Sequence, residues 1–364
     1  MKLIAQVQLR PTPEQADALR RTLEVANAAA NDISVHAWEH RVFGQYELHK
    51  DLYYSIKARY DLTAQMVVRL IAKVADAYKM DRTSKRTFRS HGSIAYDDRI
   101  LRWYPDTVSI WTVTGRLRMP FVCADRQREM LAFRQGESDL VCADGKWYLL
   151  ATCEVPEQPQ GTPDDWLGVD LGAKNIAVTS DGDVMSGGRV RGLRHRHHRL
   201  RQRLQSKGTK SAKRLLKKRR RKEARFQRDV NHCISKRIVR EAERSGRGIA
   251  LEDLKGIRTR VSARKPQRRT LHSWAFAQLR SYIEYKARRD GVSVVVVDPR
   301  NTSRTCPVCE HCEKANRPNQ STFSCRSCGF SGFADQIAAT NIRGRASVMV
   351  PHAEPPGICK PTCF

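Results

Sequence analysis

Trp166-Leu-Gly-Val-Asp-Leu-Gly-Ala-Lys-Asn-Ile-Ala-Val-Thr179 reads as a strand, a tight glycine turn and a second strand. Leu167 and Val169 are apolar, Ile176, Ala177 and Val178 resume the run, and Gly172 permits the reversal between them. Asp170 stands inside the first strand, where a carboxylate is costly unless something offsets its desolvation; a divalent metal is the usual solution. Alone, this stretch decides little, because Asp beside Gly is common in turns. Two later stretches add to it. Gly248-Ile-Ala-Leu-Glu-Asp-Leu254 is another short apolar strand, ending in Glu252. Ala334-Asp-Gln-Ile-Ala-Ala-Thr-Asn-Ile342 opens a helix with Asp335 near its N-terminus. Asp170 and Glu252 are 82 residues apart, and Glu252 and Asp335 are 83 apart, so only the fold can bring the three acids together.

Just before the last acid come two Cys-x2-Cys knuckles, Cys306-Pro-Val-Cys309 and Cys325-Arg-Ser-Cys328, with 15 residues between them. That spacing is the pattern of a zinc ribbon, with four thiolates closing the coordination sphere of one structural Zn2+. Cys312 makes Cys309-Glu-His-Cys312 a competing knuckle, and His311 is a spare nitrogen ligand. The pair Cys306 and Cys309 is preferred because it gives the better spacing. Disulfides are the alternative, and they suit a reducing cytosol poorly.

The chain has 364 residues, enough for roughly two to four domains, and is 40% hydrophobic, as a globular protein should be. Its net charge of +29 calls for a polyanion, with nucleic acid the natural partner and an anionic membrane the alternative. No run of about 18 apolar residues is present, so no transmembrane helix is expected, and the first ten residues are too interrupted for a signal peptide. Five of eleven cysteines fall between Cys306 and Cys328, which suits a reducing cytosol and one metal site.

Leu3, Ala5, Val7 and Leu9 alternate with Ile4, Gln6 and Gln8 as in a strand. Thr12, Pro13 and Gln15 then form a helix start with a capping box, followed by Leu19, Leu23, Ala26 and Ala30 on one face. Residues 62–80 form a second strong helix, with a smaller helical piece around Trp38, Phe43, Tyr46, Leu48 and Leu52. Lys57, Arg59, Lys73, Lys79, Arg82, Lys85, Arg86 and Arg89 are its candidate nucleic-acid contacts. Short strands follow from about 91 to 155, so residues 1–10 and 91–158 make a small β domain, a barrel or a sandwich by periodicity alone, with residues 11–90 inserted as a helical section. Pro156 to Pro163 is a linker.

Arg194 to Lys222 holds 15 Lys and Arg in 29 residues and no acid. Ser206 to Lys210 breaks this run into two helices, a basic hairpin spanning 191–245. Arg194, Arg196, Arg199, Arg201, Arg203, Lys213, Arg214, Lys217, Lys218, Arg219, Arg220 and Arg221 are the candidate phosphate contacts. Arg258 to Thr270 reads as a flexible basic loop, Trp274 to Asp290 as a helix, and Val292 to Val297 as a buried strand. Asp298 is read as the start of the turn into the ribbon and left outside the catalytic set.

The order GVDLG, IALEDL, Cys-rich ribbon, ADQIAATNI resembles the TnpB (OrfB) family of transposon-associated proteins, relatives of the type V CRISPR effectors. LRPTPEQ near the start and the YIEYKARRDG helix extend the resemblance over nearly the whole chain. One departure is Ile337, where the family usually has Asn. The resemblance implies an α+β multidomain fold: the barrel with its helical insertion, then a RuvC-like, ribonuclease-H-like nuclease over 165–300 and 334–345. A zinc ribbon at 301–333 would interrupt the nuclease, and a disordered tail would occupy 346–364. It implies an RNA-guided DNA endonuclease whose partners are a guide RNA encoded by its own element and double-stranded target DNA. Asp170 would bridge two Mg2+, with Glu252 on the ion that activates water and Asp335 on the ion at the leaving oxygen, or these two exchanged. A strand-transfer transposase is the alternative activity, and a non-cleaving RNA-guided regulator is another. Such regulators lose acids of the triad, and all three stand here.

Overall fold

Residues 1–172, 174–254 and 276–350 are described by the computed structural model, apart from the side chains of Arg220 and Arg221. The expected loop Arg258 to Thr270, Trp274, and the tail cysteines Cys359 and Cys363 lie outside the described residues. The chain divides into two units, Met1–Pro156 and Glu157–Phe364.

In the first unit, β1 (Lys2–Leu9) buries Ala5, Val7 and Leu9 and leaves Ile4 and Gln6 outside, the two-residue period of a half-buried strand. It pairs antiparallel with β5 (Gly115–Val122) and β7 (Lys146–Glu154), which lie far along the chain. With β2 (Ile94–Tyr96), β3 (Leu101–Trp103), β4 (Thr107–Thr112) and β6 (Arg134–Ala143), these strands form a seven-stranded sheet of order β2-β6-β7-β1-β5-β4-β3. The sheet curls nearly into a barrel: Tyr96 on one edge strand donates its hydroxyl to Trp111 O, beside the other edge, at 3.0 Å. Between β1 and β2 run α1 (Pro13–Glu39), α2 (Gln45–Tyr60) and α3 (Ala64–Met80). Thr12 and Gln15 form the reciprocal cap of α1, with Pro13 at its first position. Leu19, Leu23 and Ile33 of α1 and Val67, Ile71 and Val74 of α3 share one core with Val108, Ile110 and Leu149 of the sheet. A short helix, α4 (Asp125–Leu131), precedes β6.

The second unit is built on a five-stranded sheet of order β10-β9-β8-β11-β12. β8 (Trp166–Asp170), β9 (Asn175–Thr179) and β10 (Val184–Ser186) form an antiparallel meander. β11 (Gly248–Glu252) and β12 (Val294–Val297) run parallel to β8. The hairpin α5 (Gly188–Lys207) and α6 (Lys210–Arg244) links β10 to β11, and α7 (Phe276–Arg289) leads into β12. β13 (Thr322–Ser324) and β14 (Ser331–Phe333) form a small ribbon before α8 (Ala334–Met349).

Strand periodicity sorts the two faces of this sheet. Leu167, Val169, Ile249 and Leu251 pack with Ile238, Val239 and Ala242 of α6 and Leu279 and Ile283 of α7. Trp166 and Ala250 have the opposite parity and pack with Ile342 and Ala346 of α8. Gly168 shares that parity, and a Cβ there would sit 2.0 Å from Ala339 O, so only glycine lets α8 lie this close to β8. Gly172 also serves close approach, since a Cβ there would meet Asn175 O at 2.8 Å. The tail expected from residue 346 is corrected here: Ala346 is fully buried against the sheet, and this packing carries the helix to Met349. Residues 351–364 lie outside the described residues.

Candidate active site and metal centre

β8 and β11 are hydrogen-bonded neighbours in the register Leu251↔Val169, and each ends one residue later in an acid. Asp170 and Glu252 therefore come side by side, both with the parity of the residues under α8. Asp335 stands in the first turn of α8, buried to 8% exposure. The electrostatics record the convergence. Desolvation first, then the Glu252 and Asp335 carboxylates, push the Asp170 carboxyl up to about 8, while Arg317 pulls it down. Glu252 is raised as well, chiefly by burial, against the opposing influence of the Thr302 hydroxyl, Arg345 and Arg317.

Asp335 accepts hydrogen bonds from Asn175 Nδ2 and Arg317 Nη2, each at 3.0 Å. Arg317 is tethered by a second bond to Gln320 O at 2.9 Å. At Asp170 its guanidinium opposes burial and two neighbouring carboxylates, too little charge to keep that carboxyl in the ordinary range. That deficit, with an all-oxygen donor set, fits a hard divalent cation such as Mg2+ or Mn2+. Asn175, Thr302 and Arg317 carried no sequence signal. Asn175 opens an apolar strand, Thr302 lies in a turn, and Arg317 directly follows the single 3-10 turn Lys314–Asn316.

The ribbon gathers Cys306, Cys309, Cys325 and Cys328, whose sulfurs lie within 4.8 Å of one another. The Cys306–Cys328 and Cys309–Cys325 separations are 3.6 and 3.5 Å. The Cys328 amide donates to Cys325 Sγ at 3.5 Å, and this is the leading reason the Cys325 thiol is pulled down to about 6. Four converging sulfurs, one of them biased toward thiolate, fit a soft tetrahedral metal and leave no open position. Cys312 is exposed and stands outside the cluster, in a backbone bridge with Thr305. His311 lies 3.3 Å from Glu313 rather than on the sulfurs. Ile337 packs with Cys306, Phe323 and Cys325, so the residue that departs from the family pattern seats α8 against the ribbon.

Along the basic hairpin, Arg196, Arg199, Arg203, Lys213, Arg214, Lys217 and Lys218 are exposed. Arg194 differs: it is half-buried, and its Nη2 donates to Gln227 at 2.8 Å, tying α5 to α6. Arg201 is paired with Glu223 at 2.9 Å, and Arg219 is half-buried. The side chains of Arg220 and Arg221 lie outside the description. Leu200, Leu204 and Leu216 line a groove of about 500 Å³ between the two helices, rimmed by His197, Arg201, Lys217 and Arg219.

In the first unit several expected contacts are engaged elsewhere. Lys73 donates to Asn27 Oδ1 at 2.7 Å and Ser93 O at 2.8 Å, and burial lowers its ammonium to about 8. Arg59 pairs with Asp32 at 2.7 Å, Lys79 with Asp76 at 2.8 Å, and Arg86 with Asp81. Lys57, Arg82, Lys85 and Arg89 are exposed. Among the described residues no helix is long and apolar enough to cross a membrane.

Fold and site together define an α+β protein with a curled sheet, a second sheet gathering three acids, and a four-cysteine ribbon ahead of the last acid. The Cas12f1–sgRNA–target DNA complex contains a chain of the same fold, with a TM-score of 0.63 at 16% identity, covering 91% of this chain and 83% of that one. Residues 151–255 match a family model described as "Probable transposase", and residues 276–342 match "Cas12f1-like, TNB domain". A TnpB-like protein of Methanocaldococcus jannaschii, MJ0751, is 34% identical over 152 residues, 38% of this chain and 55% of that protein. The CRISPR-associated endodeoxyribonuclease Cas12f1 of Syntrophomonas palmitatica is 30% identical over 180 residues, 44% of this chain and 35% of that protein. The chain thus spans between about a third and just over half of these curated relatives' lengths. These matches make the chain similar to the TnpB-like and Cas12f1 proteins, with the family-model matches falling mainly in its second unit.

Proposed function

We propose that this chain is an RNA-guided DNA endonuclease of a transposable element, cleaving target DNA by metal-dependent hydrolysis at Asp170, Glu252 and Asp335. The observation that carries this reading is the convergence of three buried acids, Asp170 and Glu252 side by side at the ends of β8 and β11 and Asp335 in the first turn of α8, with the Asp170 carboxyl pushed up by burial and by the two acids beside it. The strand order, read from the β8–β10 meander outward to two parallel strands, supports a RuvC-like, ribonuclease-H-like nuclease. A guide RNA of its own element and double-stranded target DNA would be its partners, in keeping with the sgRNA and target DNA bound in the Cas12f1 complex of the same fold.

The carboxylates of Asp170, Glu252 and Asp335 would hold the catalytic Mg2+. Magnesium, when bound, supplies Lewis acidity that lowers the pKa of water and offsets charge on the phosphodiester. The protein fixes the carboxylates by burial and by the Asn175 and Thr302 hydrogen bonds. Arg317 offers a guanidinium fork that suits a phosphate oxygen once its carboxylate partner is otherwise engaged. No side-chain nucleophile is required. Cys306, Cys309, Cys325 and Cys328 would bind one structural Zn2+, closing the ribbon that carries Arg317. The exposed cations of α5 and α6 would meet phosphate.

The test is to purify the protein with its co-purifying RNA, sequence that RNA, and assay cleavage of a matching plasmid in Mg2+. A discrete RNA species overlapping or adjoining the gene is expected, with cleavage abolished in Asp170→Ala while nucleic-acid binding persists. Full cleavage by a pure Asp170→Ala preparation would falsify the assignment.

A further inference from the structure

Thr302 is buried to 3% exposure, and its Oγ1 donates to Glu252 Oε1 across 50 residues of sequence. The other acceptor in reach is Pro299 O, at 3.2 Å. A hydroxyl has one proton, and the ionised carboxylate is both nearer and the stronger acceptor, so the proton goes to Glu252. The loop that carries Thr302 is itself held. Asn341, six residues along α8 from Asp335, places its Nδ2 on Thr302 O at 2.7 Å and on Thr305 O at 2.8 Å. Both donors of one amide are thereby spent on one turn of the loop, and the residue after Thr305 is Cys306 of the sulfur cluster. The helix that presents Asp335 thus also fixes the hydroxyl that orients Glu252. Residue 302 has no helical or strand period, and Asn341 reads from sequence as one more helical polar residue.

We propose that Thr302 and Asn341 are positioning residues that hold the Glu252 carboxylate in the orientation in which it binds a divalent cation. This rests on the reading of Asp170, Glu252 and Asp335 as a divalent-metal site. Neither residue would touch the cation. Each acts by limiting rotation of Glu252, so that fewer orientations are lost when the ion binds. Partners of this kind are typically worth 10- to 100-fold in metal affinity.

The probe is Mn2+ alone, titrated into zinc-loaded full-length protein and followed by the loss of the free Mn2+ electron paramagnetic resonance signal. Glu252→Gln is the control for the underlying reading; if it binds Mn2+ as the wild type does, the acids are not the metal site and that reading fails first. Given a weakened Glu252→Gln, Thr302→Val is expected to weaken Mn2+ binding roughly tenfold, with Thr302→Ser restoring it. Zinc content and the melting temperature serve as fold controls. Half-saturating Mg2+ for cleavage should rise in parallel, with the rate at saturating Mg2+ largely retained. Should Thr302→Val fail to fold, Asn341→Ala decides, with a weakening of several-fold expected. Wild-type Mn2+ affinity in a folded Thr302→Val, or in Asn341→Ala when that variant decides, overturns the proposal. Failure of Thr302→Ser to restore binding overturns it as well, because the hydroxyl is then not the active feature.

Discussion

Asp170→Asn should make the metal-free protein more stable at alkaline pH. The ordinary aspartate carboxyl loses its proton near 3.8, whereas that of folded Asp170 is held to about 8. For an acid raised in the folded state, the unfolded chain releases its proton first. Between those two values the folded state carries the extra proton, so stability falls as pH rises from about 4 to about 8 and is level above that. At about 1.36 kcal/mol per pH unit, the full penalty approaches ~6 kcal/mol; water entry and movement of Arg317 reduce what is realised, and a gain of ~2–4 kcal/mol is expected. Asn keeps the shape and removes the charge. The assay is amide hydrogen exchange of β8 and β11 in EDTA, comparing wild type and variant at matched pH, because a local measurement avoids assuming two-state unfolding of a two-unit chain. Protection of these strands in Asp170→Asn should exceed wild type by roughly 30-fold or more at pH 9 and by little near pH 4 to 5. Equal protection at pH 9, or a gap that does not change with pH, would refute the picture of an ionising carboxylate buried among like charges.

Gly168→Val should separate α8 from β8, since even a Cβ would lie 2.0 Å from Ala339 O; a melting temperature lowered by several degrees, together with lost cleavage, is expected in calorimetry and plasmid assays. Cys325→Ser should remove most of the bound zinc and lower the folding yield, and Cys312→Ser should do neither, as read by elemental analysis of purified protein. Replacing the exposed Arg203, Lys213, Lys217 and Lys218 with Gln should make the slope of log affinity for an RNA–DNA hybrid against log salt shallower by roughly 3–4. Arg194→Gln should leave that slope unchanged, because its guanidinium is engaged by Gln227 inside the hairpin.

What was legible in the sequence is what local period and spacing encode. Short apolar runs ending in carboxylates placed Asp170 and Glu252 at strand ends, because strand side chains alternate strictly and a terminal acid can reach the sheet edge. The knuckle spacing singled out Cys306, Cys309, Cys325 and Cys328, and a glycine with polar neighbours marked the break between α5 and α6. What escaped were contacts made across long separations by residues with no period. Arg317 reaches Asp335 from an irregular turn, and Thr302 reaches Glu252 from another. β2 and α4 were too short to show a pattern. Lys73 read as a surface cation because sequence cannot show that Asn27 and Ser93 O wait for it inside the unit. Ile337 read only as a departure, since its partners Phe323 and Cys306 belong to a separate element.

Helix α6 is a stiff rod. It runs unbroken for 35 residues, about 50 Å, with no glycine or proline from Lys210 to Arg244. Its last third is clamped by Ile238, Val239 and Ala242 against the sheet, and its other end carries the exposed cations of the hairpin tip. Such a rod has no joint at which to dissipate a load. A tilt of about 5° about Ile238 moves Lys210, about 42 Å away, by roughly 4 Å. The same leverage works in reverse, so a polyanion that drags the tip sideways by a few ångströms delivers a small rotation at the clamp. The chain leaves that clamp and within a handful of residues becomes β11, the strand that ends in Glu252.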